Sequence, residues 1–438
     1  MKSSLPLLAL GLLAAACSHH PGVTGAGGHA ASSGTHATGS GGAGASSAST
    51  GTTGATGTGG ANGDQYGPWA GGAAYYAAWP HGPKSDPSFF PITVWLQSPS
   101  SAPAFAAIGV NTFIGLYQGP VEQDLTDLQT AKMPVACDQN AVGLAHLSDP
   151  TIVAWTQQDE PDNAQPLQGG GYGPCVAASA VQMLYQQTVA KDPTRPVFLN
   201  LGQGVAHGYI GWGSACSMTH PADYPDYLKG GDIVSFDIYP TNDTDPAVHG
   251  HLELVAKGVD NLVQWSAGKK AVWNWIECTG ISDPAGKPTP AQVAAEVWMS
   301  IIHGSMGVGY FVHQFAPTFD EHALLDDPTM KAAVAAINQQ IHDLAPALNT
   351  PPITNGGVVS SSDPAVPVDM LLKRQGGSTY LFAVAMGAGP AKATFSKLTN
   401  LPAGASVEVI GEGRTLALAG ASFSDDFAGW GVHLYRIH

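Results

Sequence analysis

The sequence predicts an α/β protein: a (β/α)8 TIM barrel followed by a small all-β sandwich. Three observations carry that expectation. Between Phe90 and Leu344, over about 255 residues, short apolar runs alternate eight times with helical or loop segments, which is the repertoire of a closed parallel barrel. No Gly-x-Gly-x-x-Gly follows any early strand, which argues against an open doubly wound sheet. Past Thr350 the pattern changes to short β runs divided by Gly, Pro and Asn turns.

The first two segments of the chain precede this pattern. Residues 1–17 read as an export signal, with Lys2, an apolar run from Leu5 to Leu13 and the small residues Ala14 to Ala16. That run is too short for a permanent membrane helix. Residues 18–63 are almost wholly Gly, Ser, Thr and Ala, with a few His and no Asp, Glu, Lys or Arg. Such a stretch cannot form a core and is expected to be a disordered linker, its ends roughly 40 Å apart. The barrel is expected over 64–349 and the sandwich over 350–438.

Within the barrel the expected strands are Phe90–Trp95, Asn111–Leu116, Met133–Cys137, Ile152–Gln158, Pro196–Leu201, Asp232–Tyr239, Ala271–Glu277 and Gly307–His313. Helices are expected over Ala102–Ile108, Val121–Ala131, Ala141–Leu147, Val176–Lys191 and Leu252–Trp265, the last with Val255, Val259 and Leu262 on one face. The seventh helix opens on Thr289-Pro290-Ala291-Gln292, a capping box with Pro at the first helical position. A closing helix spans Met330–Leu344, and 202–230 is the weakest unit, rich in Tyr and Trp but without helical period. In the tail, strands are expected at Val368–Leu372, Thr379–Met386, Ala391–Phe395, Val407–Ile410 and Gly431–Ile437.

Composition narrows the function. The formal charge is −16 with only 17 Lys+Arg, so the positive footprint that nucleic-acid binding needs is missing. Charged residues make up only 11 % of the chain, which suits a loop-rich exported protein. Cys137, Cys175, Cys216 and Cys278 form an even set in an oxidising context, open to three pairings, and their wide spacing lacks the close pairs of a zinc site. Disulfides or buried thiols are expected there, and no metal or organic cofactor.

In such a barrel the carboxyl ends of the strands face the active site. Reading the last residues of each strand gives Trp95, Gln118, Asp138, Glu160, Asn200, Tyr239, Glu277 and His313. Two are glutamates. Glu160 ends the run Thr151 to Asp162, where Asp159-Glu160-Pro161 stops the strand, since proline cannot continue a central ladder. Glycoside hydrolysis needs such a pair: one carboxyl protonates the leaving oxygen while another attacks the anomeric carbon or activates water. Trp155, Trp273, Trp275 and Tyr239 lie near them in sequence, and sugar rings present C–H faces that suit aromatic walls.

With these residues in place the chain resembles the large clan of retaining (β/α)8 glycoside hydrolases. The resemblance implies Glu160 as acid/base and Glu277, in Ala271-Val-Trp-Asn-Trp-Ile-Glu277, as nucleophile, both catalytic. Tyr239, in Ser235-Phe-Asp-Ile-Tyr-Pro240, matches a strand-six tyrosine that holds the nucleophile. Substrate-binding roles are expected for Trp95, Gln118, Asp159, Asn200, Tyr239, Trp275 and His313. Asp159 stands where the clan has asparagine, and His313 where many members have tryptophan. The partner implied is a polysaccharide or oligosaccharide. Cys17 after Leu-Leu-Ala-Ala-Ala resembles a bacterial lipoprotein signal, implying a lipid anchor at the cell surface, or release to the medium if the signal is an ordinary one.

Two other classes compete. A non-catalytic carbohydrate-binding lipoprotein would keep the aromatic cleft with its two glutamates splayed apart or buried in salt bridges. A metal-dependent hydrolase would use His207, His220, His249 or His251, which lack ligand spacing apart from the pair His249-Gly-His251.

Overall fold

The β-branched and apolar runs form eight short parallel strands: β1 Ile92–Trp95, β2 Thr112–Ile114, β3 Val135–Cys137, β4 Ile152–Thr156, β5 Val197–Leu201, β6 Ile233–Asp237, β7 Ala271–Glu277 and β8 Val308–Phe311. In this computed structural model they follow one another in order around a closed barrel. Closure is made by β1 on β8, where Thr93 faces Gly309 in parallel register. The structure describes residues 63–167, 169–207 and 221–438. The expected export signal, almost all of the linker and the middle of the weak unit, including Cys216 and His220, lie outside the described residues.

Helices sheathe the strands. They are α1 Ala102–Ala106, α2 Glu122–Ala131, α3 Ala141–Ala145, α4 Ala178–Lys191, α5 Gly204–His207, α6 Tyr224–Tyr227, α7 Glu253–Trp265, α8 Pro290–Ile302, α9 Ala323–Asp326 and α10 Pro328–Leu348. The Thr289 capping box forms as the sequence predicts, with Gln292 answering the Thr289 amide at 2.8 Å. The closing helix runs further than expected because Asp327 caps it, accepting from the Thr329 and Met330 amides at 3.0 and 3.1 Å. Among its described residues the weak unit contributes short turns: α5, α6 and the 3-10 turns Pro221–Asp223 and Leu228–Gly230.

Strand alternation sends Ala271, Trp273 and Trp275 of β7 into the barrel, where they join Ile114, Ala136, Ala154, Phe198 and Ile233. Two indoles fill that space only because the facing strand gives way. A Cβ on Gly309 would meet the Trp275 ring at 2.3 Å, and one on Gly307 would meet Trp273 at 2.8 Å. Both indole N–H groups are satisfied: Trp273 donates to the Tyr76 hydroxyl at 2.9 Å and Trp275 to Ser235 Oγ at 3.2 Å. Tyr76 comes from the turn Gly72–Ala78, which precedes the first strand.

The tail is a two-sheet β domain. One sheet has the order β10-β11-β16-β13-β14, the other β15-β12-β9. Of these, β10 Val368–Gln375, β11 Ser378–Ala385, β12 Ala391–Ser396, β13 Val407–Val409 and β16 Val432–Ile437 match expectation. The strands β9 Val358–Ser361, β14 Arg414–Leu416 and β15 Phe423–Phe427 are additions. The domain packs on the barrel through Phe382 against Trp298 of α8, ring centroids 5.4 Å apart. His303 ties the same surface, reaching Asp260 of α7 at 3.0 Å and Asp369 of β10 at 3.2 Å. Asp64 holds the start of the described chain to Arg374 at 2.7 Å. Among the described residues no helix is long and apolar enough to cross a membrane.

Candidate active site at the carboxyl end of the barrel

The ends of β4, β5 and β6 converge on one cluster of carboxyl groups. Beyond Thr156 the chain turns, and Glu160 takes a left-handed backbone conformation, φ 41°, which costs a non-glycine residue about 1 kcal/mol or more. It is held there by its own N–H, which donates to the Asn200 carbonyl at 3.2 Å, and by its carbonyl, which accepts from the Asn163 amide at 3.0 Å. Strain maintained by hydrogen bonds at a strand end is the kind of feature that accompanies functional sites.

The half-buried Glu160 carboxyl is hydrogen-bonded to that of Asp237, the last residue of β6. Two carboxyl groups in contact share one proton, because both cannot ionise at that distance. Burial, then the charges of Asp237, Asp159 and Asp162, push Glu160 well above the ordinary glutamate range. Burial and Asp159 push Asp237 up to about 7. Burial is the first cause for both carboxyls, and the pair titrates as a unit. Asn200 organises the cluster, its amide donating to Asp159 at 3.0 Å and to Asp237 at 3.2 Å. Ser235 fixes the Asn200 amide in turn, donating to its oxygen at 2.7 Å. Asp159 is exposed; its surroundings push it up to about 6, burial first, and solvent screening damps that push. Asp162 is sealed, accepting from the Gly202 amide at 2.9 Å and the Tyr224 hydroxyl at 3.1 Å.

Glu277 stands in a different neighbourhood. It is fully buried. One carboxylate oxygen accepts from the Thr241 amide at 2.6 Å, the other from the Asn242 amide at 3.0 Å and the Asn242 side chain at 2.5 Å. Behind it lies Glu296 of α8, also fully buried, whose oxygens have no other partner. Burial and Glu277 push Glu296 well above its usual range, so its proton is held against Glu277. Burial pushes Glu277 itself up to about 7, with the Asn242 and Thr241 donors opposing.

These raised carboxyls make a prediction about stability. A folded state that holds protons more tightly than the unfolded chain is most favoured below the unfolded pKa, near 4, and loses that advantage as pH rises through the folded value. The thermal midpoint should therefore be higher near pH 5 than near pH 8. Glu296→Gln keeps a donor for Glu277 and removes one of the titrating groups. It should raise stability at pH 8 by about 1–2 kcal/mol while changing little at pH 5, as read by calorimetry at the two pH values.

Across the barrel mouth the ends of β1 and β8 carry aromatics. His313 is fully buried, its Nε2 3.1 Å from the Leu96 carbonyl and 2.9 Å from the Tyr117 hydroxyl. Burial pushes it down to about 4, so the ring is neutral. It stacks with Phe315 and Phe319, at centroid distances of 6.2 and 6.1 Å, and those two rings are half-exposed on the loop after β8. Tyr117 also hydrogen-bonds Glu321, whose carboxylate accepts from Ser98 Oγ at 3.0 Å. Trp95 is half-buried and meets Trp275 edge to face at 5.0 Å. Tyr239 is half-buried against Phe311 at 5.3 Å.

The structure thus brings together Glu160, Asp159 and Asn200, and adds Asp237, which the strand-end reading left out. Asn200 acts on the carboxylates around it. Trp275 and Trp273 fill the barrel, and Trp155 is fully buried, donating to Asp192 at 2.9 Å; the aromatic wall comes instead from the loop after β8. Gln118 is exposed, and its neighbour Tyr117 is the residue that reaches His313. Cys137 and Cys278 are free, buried thiols, the second of the two alternatives expected for them. Among the described residues the only group with metal-ligand geometry is Asp320, His322 and Asp326, none of them among the histidines considered from sequence.

No protein-family model matches the chain, and no curated protein matches it. Solved structures do. An alpha-amylase from Geobacillus thermoleovorans is similar at TM-score 0.48 and 11 % identity, over 80 % of this chain and 98 % of that one. A putative alpha-galactosidase from Bacteroides fragilis is similar at TM-score 0.46 and 11 % identity, over 80 % and 79 %. A GH30 endoxylanase from Clostridium papyrosolvens is similar at TM-score 0.44 and 10 % identity, over 79 % and 95 %. These neighbours are glycoside hydrolases, and a likeness this distant carries nothing about substrate or catalytic residues. The barrel itself rests on its strand order.

Proposed function

We propose that the protein is a glycoside hydrolase acting on an oligosaccharide or polysaccharide, with Glu160 as its general acid and then its base. The observation that carries this reading is the cluster of Glu160, Asp159 and Asp237 gathered around Asn200 at the ends of β4, β5 and β6. A glycosidic oxygen leaves as an alcohol only if it is protonated as the bond breaks, and a donor still protonated near neutral pH is required. Burial and a carboxylate neighbour supply such a donor here. The half-exposed rings of Phe315 and Phe319 support a sugar-binding wall.

The resemblance further implies double displacement through an ester of Glu277. That route asks Glu277 to leave three donors and reach the cleft from a fully buried position. Its burial favours a structural task, holding the turn at Thr241 and Asn242. Burial, though without a salt bridge, is part of what the non-catalytic carbohydrate-binding reading expects, and it is the one observation in favour of that second reading. Hydrolysis separates the two. Wild type and Glu160→Gln are incubated with plant and microbial polysaccharides and with aryl glycosides. Sugar release by wild type that Glu160→Gln loses is the expected result; binding without release in either protein would establish the second reading. Export, and a lipid on Cys17, remain part of the proposal, since a surface location suits a polymer substrate.

A further inference from the structure

We propose that the substrate is a 2-acetamido-2-deoxyglycoside whose own acetamido oxygen, rather than a protein carboxylate, attacks the anomeric carbon. This rests on the reading of Glu160 as general acid.

The inference follows from where the carboxylates can and cannot reach. Double displacement sets the acid and the nucleophile about 5–5.5 Å apart, so that the anomeric carbon stands between them. Asp237 is 6 % exposed, and its carboxyl is engaged by the Asn200 amide at 3.2 Å beside Glu160. That leaves it no room to reach a sugar carbon. Glu277 is fully buried, and both its oxygens are occupied. Asp162 is 1 % exposed and is spent on Gly202 and Tyr224. What remains beside Glu160 is Asp159, exposed and oriented by the Asn200 amide at 3.0 Å.

Asp159 directly precedes Glu160, too close in the chain to oppose it. Their Cα atoms are about 3.8 Å apart along the chain, and both leave the same strand end. That suits two neighbouring tasks on one sugar: Glu160 at the oxygen on C1, and Asp159 at the substituent on C2. An ionised carboxylate only accepts hydrogen bonds, so the C2 substituent it meets is a donor. An acetamide N–H meets that demand, and its carbonyl oxygen can then close onto C1.

The step balances without any further reactant. The Glu160 O–H proton passes to the glycosidic oxygen as the C1–O bond breaks. The acetamido oxygen forms a new bond to C1, giving a cyclic oxazolinium whose N–H is hydrogen-bonded to Asp159. Water then attacks C1 and gives its proton to the Glu160 carboxylate. The bond from C1 to the acetamido oxygen breaks, and the acetamide is restored. The product keeps its anomeric configuration.

The test uses the full chain and 4-nitrophenyl glycosides of glucose, galactose, 2-acetamido-2-deoxyglucose and 2-acetamido-2-deoxygalactose. An acetamido glycoside should be cleaved in preference to its 2-hydroxy counterpart. Replacing acetyl by trifluoroacetyl weakens the attacking oxygen and should lower kcat/KM by roughly 100-fold. Asp159→Asn should lower kcat far more than it changes KM, and should flatten that dependence on fluorine. Equal rates for the acetyl and trifluoroacetyl substrates would overturn the inference. So would a 2-deoxy-2-fluoro glycoside that labels Glu277, or cleavage confined to 2-hydroxy sugars; each of these, if the activity is lost in Glu160→Gln, leaves the role of Glu160 standing. Activity that survives Glu160→Gln overturns the reading beneath it.

Discussion

Glu160→Gln is expected to lower kcat/KM for a natural or 4-nitrophenyl substrate by about 10³-fold, within the range that a positioned proton donor contributes. Glutamine matches the size of glutamic acid but has no acidic proton to give. The loss should shrink to below about 10-fold for a 2,4-dinitrophenyl glycoside, whose leaving group departs without protonation. Because kcat/KM reports only the steps up to bond cleavage, the later need for a base does not blur the comparison. An equal loss on both substrates would mean that the residue supports the fold rather than donating a proton.

Arg195→Met is expected to have the largest effect on stability. Arg195 is fully buried and pairs with Asp192 at 2.8 Å. Its remaining N–H groups donate to the carbonyls of Ile152 at 2.7 Å, Leu147 at 2.8 Å and Asp149 at 3.0 Å, and the guanidinium lies 5.4 Å from the Trp155 ring centroid. It therefore pins the beginning of β4, the strand that ends in Glu160. Methionine fills part of the volume and leaves a buried carboxylate and three carbonyls short of partners, at a cost of about 3–5 kcal/mol. The thermal midpoint should fall by on the order of 10 °C. A midpoint within a degree or two of wild type would contradict this account of how β4 is anchored.

Much of the barrel was legible because the strands are compact apolar runs and a helix can carry its own punctuation, as at Thr289. The sequence reading set Trp273 and Trp275 beside the cleft, whereas strand parity sends them into the barrel. It could not say at which height they sit, and the one signal for a filled barrel was the pair Gly307 and Gly309 on the neighbouring strand. Parity also points Glu277 inward; the amides that bury it belong to the turn after β6, whose geometry no local pattern encodes. Asp237 was readable as the end of β6, but its contact with Glu160 depends on two strands meeting. Tyr117 in place of Gln118 is a one-residue error in where a short strand ends, and such ends are set by loop hydrogen bonds. The missed strands β9, β14 and β15 are three to five residues long, too short for alternation to stand out.

The central claim is that burial, with Asp237 beside it, lets Glu160 carry its proton into neutral solution. The pH dependence of kcat/KM, measured for wild type and Asp237→Asn on one good substrate, tests this most directly. The Glu160–Asp237 pair titrates as a unit, and the alkaline limb reports loss of its last proton. In wild type that limb should lie well above the ordinary glutamate value of 4.5. In Asp237→Asn the neighbouring charge is gone and an amide donor stabilises the ionised Glu160, so the limb should move to lower pH. A wild-type limb near 4.5, or one that stays in place when Asp237 is replaced, would contradict the assignment of Glu160 as the acid.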